Sequence, residues 1–349
     1  MGHLSADDAR WMGVALALGE RGRGRTHPNP NVGCVIVKDG RVVGRGWTQA
    51  GGRPHAEAMA LARAGEQARG ATVYVTLEPC AHRSERGPAC ADLLVAAGVA
   101  RVVAAVEDLD VRTAGRGLER LRDAGIDVAW GVREGEALDS FPGFVIRQRF
   151  GRPQVTLKLA TSLDGCIAMP DGSSRWITGD AARAHGHLER SRHEAILVGR
   201  GTLDADAPKL DVRLEGLEER SPLRVVLSSN PSIPSEVEAR TFLGRSAGGS
   251  LDFARDGRGF VSVTSPEQVT SLPCDYLLVE GGALAAAAFI GADLIDRLLL
   301  YRAPILVGGG RPALADIGLA ELGDAHGRWR LADARQLGSD RLEAYVRQR

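Results

Sequence analysis

One imidazole and two thiols, close to an acidic side chain, constrain this chain more than any other feature. His55 and Glu57 stand in the run Pro54-His55-Ala56-Glu57, and Cys80 and Cys90 follow it. Such groups form catalytic zinc sites, in which three protein ligands bind the ion and water takes the fourth position. If His55, Cys80 and Cys90 bind one ion, the fold must bring three separate segments together, and Glu57 is then free to transfer protons.

The pattern resembles the zinc nucleobase deaminase signature, which is His-x-Glu followed by Pro-Cys-x-x-Cys. Arg83 stands where that signature has its second cysteine, so the second thiolate has to come from Cys90. A purely structural zinc site is the main alternative, and it requires a fourth protein ligand. His82 is the candidate for that ligand.

The residues around His55 predict how it is presented. Residues 56–64 are rich in helix-forming residues and are followed by Gly65, which predicts a helix with His55 in its first turn. Side chains two positions apart lie about 200° apart around a helix. His55 and Glu57 can therefore flank one ion only where the helix begins.

The two cysteines also lie at the ends of predicted elements. Residues 72–77 are typical of a buried strand before Cys80, and residues 89–97 of a helix that begins near Cys90. Thiolates near helix N-termini have lowered pKa values, which favours metal binding.

The chain is long enough for two domains. At 349 residues it is near the size at which single cores stop growing. Between Phe141 and Pro153 the sequence becomes aromatic and basic and is interrupted by Pro and Gly. We place the domain boundary there, which gives domains over residues 1–150 and 151–349.

Both parts alternate predicted strands with predicted helices. In the first part the strands are 32–37, 42–44, 72–77, 102–106 and 126–130, with a tight turn at Asp39-Gly40 and a helix capped near Ser5. In the second part the strands are 155–160, 195–198, 223–227, 276–279 and 298–300, with a helix at 180–192. The alternation indicates an α/β sandwich followed by a second α/β domain.

Composition argues against several classes of function. Lys and Arg balance Asp and Glu at 44 each, so no basic excess is present for binding a phosphate backbone. Five cysteines, with no apolar secretory segment, indicate a reducing compartment and no disulfide scaffold. No apolar run reaches the length that spans a membrane. We expect a cytoplasmic protein that binds neither nucleic acid nor membrane.

Several motifs occur together in both parts. In the first part they are His27-Pro28-Asn29-Pro30-Asn31-Val32-Gly33, Pro54-His55-Ala56-Glu57, Thr76-Leu77-Glu78-Pro79-Cys80 and Ala114-Gly115-Arg116-Gly117. In the second part they are Leu157-Lys158-Leu159-Ala160, Ser162-Leu163-Asp164-Gly165 and Trp176-Ile177-Thr178. These motifs, in this order, resemble the two halves of the bifunctional riboflavin-biosynthesis deaminase/reductase family, from about Asp8 to about Gly310.

The resemblance implies a cytidine-deaminase-like α/β/α sandwich followed by a dihydrofolate-reductase-like α/β domain. The first domain would use Zn²⁺ to hydrolyse an amino group from the pyrimidine ring of a diaminopyrimidinone ribosyl phosphate. The second would use NADPH to reduce the opened ribosyl group to a ribityl chain. The implied partner is a small phosphorylated aminopyrimidine.

The resemblance also implies roles for single residues. In the deaminase, Asn29, Arg86 and Asp108 would contact substrate beside the proton-transferring Glu57. In the reductase, the cofactor side would comprise Ala160, Trp176, Thr178, Thr202, Asp206, Ser229, Gly282, Ala283, Leu284 and Ala285. The substrate side would comprise Ser174, Arg190, Leu210, Arg213 and Glu280. Asn29 has an alternative role in capping a turn between two prolines.

The chain departs from the family pattern at five places. Nine residues separate Cys80 from Cys90 where the family has eight, and Arg83 competes with Arg86 for the substrate phosphate. The other four departures are Gly87-Pro88-Ala89 for Thr-Pro-Pro, Asp108-Leu109-Asp110-Val111 for Asp-Pro-Asn-Pro, Asp206-Ala207 for an Asp before Pro, and Ser228-Ser229 for Asp-Ser.

Two other classes of function remain open from sequence. One is a nucleoside or tRNA-base zinc deaminase with a non-catalytic C-terminal domain, which would bind RNA with a steep salt dependence. The other is a structural zinc module that recruits a partner. The variant Glu57→Gln distinguishes a catalytic zinc site from a structural one. If Glu57 is catalytic, the variant should lose ammonia release while its zinc content stays unchanged. A homo-oligomer is a common default and does not follow from these residues.

Overall fold

The computed structural model describes residues 4–82, 85–111, 113–229 and 260–349. The chain divides into two compact units, and the division falls between Gly151 and Arg152. None of the described helices is both long and apolar enough to cross a membrane. All five cysteines lie in the described part of the chain, where they are buried and form no disulfide.

The first unit is built around a five-stranded sheet with the strand order β2-β1-β3-β4-β5. Its strands are β1 Gly33–Lys38, β2 Arg41–Trp47, β3 Thr72–Val75, β4 Arg101–Ala104 and β5 Asp127–Trp130. Its helices are α1 Ala6–Gly19, α2 Ala56–Ala64, α3 Cys90–Ala97, α4 Arg116–Asp123, α5 Glu134–Ser140 and α6 Pro142–Phe150. Strand β1 pairs antiparallel with β2 and β3, and β3, β4 and β5 run parallel.

Local sequence explains the ends of several of these elements. Ser5 caps α1 by accepting a hydrogen bond from the backbone N–H of Asp8, whose side chain accepts one from the N–H of Ser5 in return. The predicted turn at Asp39-Gly40 joins β1 to β2, and both residues have positive φ, at 50° and 72°. The predicted ends of α2 at residues 56 and 64 are confirmed.

Two glycines of β2 allow α2 to pack closely on the sheet. A Cβ atom at Gly44 would lie 2.3 Å from the carbonyl oxygen of Ala60, and one at Gly46 would lie 2.3 Å from that of Ala56. Because Gly44 and Gly46 are two residues apart, they point to the same face of the strand. They therefore fix α2, and the His55 that precedes it, against the sheet.

The second unit is built around an eight-stranded sheet with the order β10-β9-β8-β11-β6-β12-β15-β14. The strands of this sheet are β6 Gln154–Thr161, β8 Ala195–Gly199, β9 Leu223–Leu227, β10 Val261–Val263, β11 Tyr276–Val279, β12 Arg297–Arg302, β14 Trp329–Leu337 and β15 Asp340–Arg347. Two further strands, β7 Cys166–Ala168 and β13 Arg311–Pro312, pair with each other in a separate two-stranded sheet. The helices of the unit are α7 Asp180–Arg190, α8 Arg200–Asp206 and α9 Ala283–Gly291. Strands β10, β9, β8, β11, β6 and β12 run parallel, whereas β15 and β14 are antiparallel. The predicted α/β class is confirmed for both units.

Several element bounds differ by a few residues from the sequence prediction, and two parts of the fold differ more. The segment predicted to be interrupted by Pro and Gly contains α6, which has Pro142 in its first turn and is capped at its end by Gly151, with a φ of 67°. Proline and glycine therefore delimit this helix instead of breaking it. The hairpin of β14 and β15 was not predicted, because β14 is a largely exposed edge strand without apolar alternation.

Candidate functional site

The structure brings His55, Cys80 and Cys90 together in the first unit. Their ligand atoms all lie within 4.8 Å of one another. The Nδ1 atom of His55 is 3.3 Å from the sulfur of Cys90 and 3.6 Å from the sulfur of Cys80. Two sulfurs and one imidazole nitrogen form a donor set typical of zinc, so the residues present fit that ion.

Helix termini present these three ligands. His55 is the N-cap residue of α2 and has extended backbone, and Glu57 follows in the first turn of α2. The sequence predicts His55 in the first turn of α2, whereas the structure places it one residue before the helix. Because His55 lies outside the helix, the angular separation of residues two apart in a helix does not apply to His55 and Glu57. Cys90 is the first residue of α3, and its backbone N–H donates to the sulfur of Cys80 over 3.3 Å.

The thiols of Cys80 and Cys90 differ in their affinity for a proton. The hydrogen bond from Cys90 lowers the pKa of Cys80 to about 4, against the effect of burial and with further help from His55. The bond to Cys80, together with burial, raises the pKa of Cys90 well above its ordinary value. One thiolate is thus already stabilised at neutral pH, and thiolate is the form that binds a metal.

Glu57 is buried beside the three ligands. Its residue is 3% exposed, and burial raises the pKa of its carboxyl to about 7. His55, Cys80 and Cys90 all influence the pKa of this carboxyl, with burial as the largest cause. A carboxyl that can gain or lose a proton near neutral pH is suited to general acid and base catalysis.

His82 is not part of the cluster of His55, Cys80 and Cys90. Its Nδ1 atom lies 3.3 Å from the hydroxyl of Thr113. Among the described residues, the group that could bind a metal at this position has three members, and His82 is not one of them. This number of ligands is typical of catalytic zinc sites.

Asn29 lies against the imidazole of His55. Its amide nitrogen donates to the carbonyl of Gly52 over 2.8 Å and is 3.3 Å from the Nε2 atom of His55. Arg86 is exposed and donates to the carbonyl of Gly51 over 2.6 Å, on the same turn. Arg83, the competitor of Arg86, lies outside the described residues.

Asp108 is held by a residue to which the sequence analysis gave no role. Its backbone N–H donates to the carboxylate of Glu78 over 3.0 Å, and its own Oδ1 accepts from Asp110 N–H over 2.9 Å. Burial raises the pKa of Asp108 to about 7, with smaller contributions from Asp110, Glu78 and Cys80. The signal for Glu78 in the sequence was its place in the motif that ends at Cys80.

Five of the predicted reductase residues lie at or just after the carboxyl ends of parallel strands in the second unit. Ala160 is near the end of β6, Thr202 follows β8, Ser229 follows β9, and Glu280 and Gly282 follow β11. Because these strands are parallel, their carboxyl ends lie at one edge of the sheet. Ligands of open α/β sheets bind at this edge.

A cluster of charged side chains at this edge connects Arg190 to Glu280. The guanidinium of Arg190 donates to both oxygens of Glu280, over 2.8 and 3.0 Å, and to the carbonyl of Asp211 over 3.0 Å. The ammonium of Lys158 lies 3.6 Å from Glu280. Burial opposes ionisation, but Lys158 and Arg190 hold the pKa of Glu280 at about 2. Lys158 was not predicted as a site residue, although it is a lone charge in an apolar strand.

The start of α9 forms a second feature of this edge. Gly282 is the N-cap residue of α9, and its N–H donates to the hydroxyl of Thr202 over 3.2 Å. A Cβ atom at Gly281 would lie 2.5 Å from the Cβ of Ala285, so glycine is required for this close turn. The start of a helix favours a bound phosphate, as in dinucleotide-binding sites.

The remaining predicted residues range from exposed to buried. Trp176 is 65% exposed and is covered on one ring face by Arg183, which also donates to the carbonyl of Thr178 over 2.6 Å. Arg213 has a side chain that is 58% exposed and pairs with Asp211. Among the others, Asp206 at the end of α8, Ser229 and Leu284 are exposed. Ser174 and Ala283 are half-buried, and Leu210 and Ala285 are buried.

Comparisons with known proteins cover both units. Residues 5–106 match the family described as the cytidine and deoxycytidylate deaminase zinc-binding region, and residues 153–342 match the RibD C-terminal domain. The riboflavin biosynthesis protein RibD of Escherichia coli is 42% identical over 359 residues, which cover 95% of this chain and 97% of the relative. The protein of the same name from Mycobacterium tuberculosis is 41% identical over 353 residues, covering 98% of this chain and 97% of the relative.

Solved structures are similar over the same length. RibD of Acinetobacter baumannii superposes with a TM-score of 0.83 at 37% identity, covering 98% of this chain and 99% of that one. A deaminase/reductase from Thermotoga maritima, named for diaminohydroxyphosphoribosylaminopyrimidine and 5-amino-6-(5-phosphoribosylamino)uracil, gives a TM-score of 0.80 at 30% identity and covers the same fractions.

Proposed function

The chain belongs to the RibD family of riboflavin-biosynthesis enzymes, and we propose that its two activities divide at the predicted boundary. It is a bifunctional enzyme, a zinc-dependent deaminase and an NADPH-dependent reductase. The deaminase has the cytidine-deaminase-like fold and is assigned to residues 1–150. The reductase has the dihydrofolate-reductase-like fold and is assigned to residues 151–349. The alternative of a nucleoside or tRNA-base deaminase with a non-catalytic C-terminal domain is not favoured.

In the deaminase, we assign the zinc ligands as His55, Cys80 and Cys90. When bound, zinc lowers the pKa of a water molecule to about 7 and so makes hydroxide available at neutral pH. Glu57 accepts a proton from the attacking water and delivers protons to the ring nitrogen and then to the departing amine. Water thus replaces the amino group of the pyrimidine, and ammonia leaves.

Three residues around this centre bind the rest of the substrate. Asn29, next to His55, offers an amide donor and acceptor to the pyrimidine. Asp108 faces the ribose, and Arg86 binds the phosphate, for which an exposed guanidinium is suited. The substrate is a small phosphorylated aminopyrimidine, and we assign it as the diaminopyrimidinone ribosyl phosphate.

In the reductase, the start of α9 and Thr202 bind a phosphate of the cofactor. When bound, NADPH supplies the hydride that converts the opened ribosyl group to ribityl. We assign the substrate phosphate to Arg213, because its side chain is largely exposed. Arg190 instead donates hydrogen bonds to Glu280 and Asp211. Arg190 and Glu280 therefore bind each other and support the substrate-binding side of the reductase. The cytoplasmic location remains a prediction from the sequence. Self-association is a common default, and no interface is assigned to it.

One observation carries the assignment of the deaminase centre. Two sulfurs and one imidazole nitrogen lie within 4.8 Å of one another at two helix starts, and a buried carboxyl lies next to them. A structural zinc site would use a fourth protein ligand, and His82 is bound to Thr113. The geometry therefore favours catalysis over a purely structural role.

The test follows ammonia release and NADPH oxidation separately on purified protein with the aminopyrimidine ribosyl phosphate. Wild-type protein is expected to show both activities. Glu57→Gln is expected to abolish ammonia release and to leave the zinc content unchanged, whereas Glu66→Gln, at an exposed position just after α2, changes neither. Loss of zinc in Glu57→Gln would favour a structural site, and absence of NADPH oxidation in the wild type would remove the reductase assignment.

A further inference from the structure

Glu78 has a buried carboxylate that accepts four backbone hydrogen bonds. Its Oε2 accepts from the N–H groups of Asp108 and Gly115, over 3.0 and 2.9 Å. Its Oε1 accepts from those of Gly117 and Leu118, over 2.8 and 3.1 Å. The residue is 2% exposed, and the ion pairs between described residues do not include it. Peptide N–H groups, including those of the first turn of α4, therefore stabilise its charge.

The same carboxylate connects two parts of the deaminase centre. Glu78 precedes Cys80 by two residues, and its own N–H donates to the carbonyl of Val106 over 2.9 Å. A Cβ atom at Gly117 would lie 1.9 Å from the carbonyl oxygen of Pro79, so α4 packs directly on this segment. Arg120 of α4 adds a hydrogen bond of 2.8 Å to the carbonyl of Ala81. The segment that bears Cys80 is thus held from one side by α4.

On the other side Glu78 holds the loop that carries Asp108. This loop connects β4 to α4, and the two bonds to Oε2 come from its beginning and its end, at Asp108 and Gly115. Within the loop, Asp108 accepts from Asp110 N–H, and Thr113 and Ala114 N–H donate to Asp110 O. The described residues of this loop therefore bond to one another, and Glu78 joins Asp108 and Gly115 to the segment of Cys80.

We propose that Glu78 is a positioning residue of the deaminase, which sets the place of Asp108 relative to the metal ligand Cys80. This inference rests on the proposed function, in which Asp108 contacts the substrate. Glu78 does not touch substrate in this account. It acts through the backbone of Asp108 and Gly115, and its effect is expected in substrate binding rather than in the proton transfers of Glu57.

The test replaces Glu78 by an amide of the same size. In Glu78→Gln, an NH₂ group replaces a carboxylate oxygen and cannot accept hydrogen bonds from two backbone N–H groups. The loop at Asp108 is expected to move in response, because it is less constrained than the first turn of α4. A buried donor left without an acceptor is costly, and we expect the KM for ammonia release to rise on the order of tenfold. The kcat should stay within about twofold of wild type, since Glu57 and the zinc ligands are unchanged. Zinc content and NADPH oxidation should also stay unchanged.

A double-mutant cycle with Asp108→Asn separates positioning from folding. If Glu78 acts through Asp108, Glu78→Gln should raise KM much less in the Asp108→Asn background than in the wild type. Glu119→Gln, at an exposed position on α4, is the control and should leave KM unchanged. Glu78→Asp keeps the charge but is one methylene shorter, and it should raise KM in the same direction as Glu78→Gln.

Each outcome bears on the proposal. An unchanged KM in Glu78→Gln, or fully additive effects in the cycle, would overturn it. Loss of zinc and of both activities in Glu78→Gln and Glu78→Asp alike would assign Glu78 to folding alone and would also overturn it. Wild-type protein that releases no ammonia would instead refute the proposed function, so the two failures are distinguishable.

Discussion

Replacing Glu280 by Gln removes the charge that balances two cations at the edge of the second sheet. The carboxylate of Glu280 has a side chain that is 10% exposed, and it lies 2.8 Å from Arg190 and 3.6 Å from Lys158. In the Glu280→Gln variant both cations lose their counter-charge, although the shape of the side chain is kept. We expect the second unit to lose stability at neutral pH.

The size of this effect can be worked out in two ways. Arg190 and Lys158 hold the pKa of Glu280 at about 2, against burial and an ordinary value of 4.5, which corresponds to roughly 3 kcal/mol at neutral pH. Removing one partner of a buried ion pair costs about 3–5 kcal/mol in other proteins. The two routes agree on about 3 kcal/mol.

The pH dependence has a definite sign. Because the folded-state pKa lies below the ordinary value, the contribution of Glu280 is fully present above about pH 4.5. It is lost as the pH falls toward 2, because the carboxyl then binds a proton in both states. The difference in stability between wild type and Glu280→Gln should therefore shrink in acid.

Hydrogen exchange measures this difference in the second unit without requiring the whole chain to unfold in one step. Amides of β11, Tyr276–Val279, should lose protection by about a hundredfold in Glu280→Gln at pH 7. Glu215→Gln, at an exposed loop position, is the matched control and should change protection little. A loss of less than about fivefold in Glu280→Gln, or a loss that grows as the pH falls, would refute the reasoning.

Two further predictions concern the deaminase centre. Removal of zinc with a chelator should abolish ammonia release and leave NADPH oxidation on the deaminated pyrimidine unchanged, as followed by the two separate assays; loss of both activities would contradict separate sites. Gly46→Ala places a Cβ atom 2.3 Å from the carbonyl oxygen of Ala56, next to His55, and should weaken zinc binding by about 10- to 100-fold in a competition titration. Gly135→Ala, where a Cβ atom would meet nothing within 4 Å, should leave zinc binding unchanged, and equal affinities in the two variants would speak against the role given to β2.

Sequence alone predicted the parts of the fold with strong local signals. Helix α2 and strands β9 and β11 begin and end where the apolar pattern and Gly65 predicted. Helix α6 was taken as a boundary segment, because Pro and Gly have the same composition signal in a linker as at helix ends. The edge hairpin of β14 and β15 was missed, because its stability comes from pairing with β12 and not from its own apolar pattern.

The candidate site also contains residues that the sequence could predict and residues that it could not. The proximity of His55, Cys80 and Cys90 could be predicted, because each lies at the end of a predictable element. The roles of Glu78 and Lys158 could not be predicted, since their partners are backbone groups and charges far away in sequence. The substrate-side role of Arg190 stays a prediction, and the sequence could not indicate its hydrogen bonds to Glu280 and Asp211.

The central claim is that three side chains hold the zinc ion and no fourth side chain does. Zinc stoichiometry of purified variants tests this most directly, with His55→Ala, Cys80→Ser and Cys90→Ser compared with His82→Ala. The account predicts that wild type and His82→Ala retain about one zinc per chain, and that each of the other three variants loses it. Loss of zinc in His82→Ala to the same extent as in Cys90→Ser would show a closed, four-ligand site and would contradict the account.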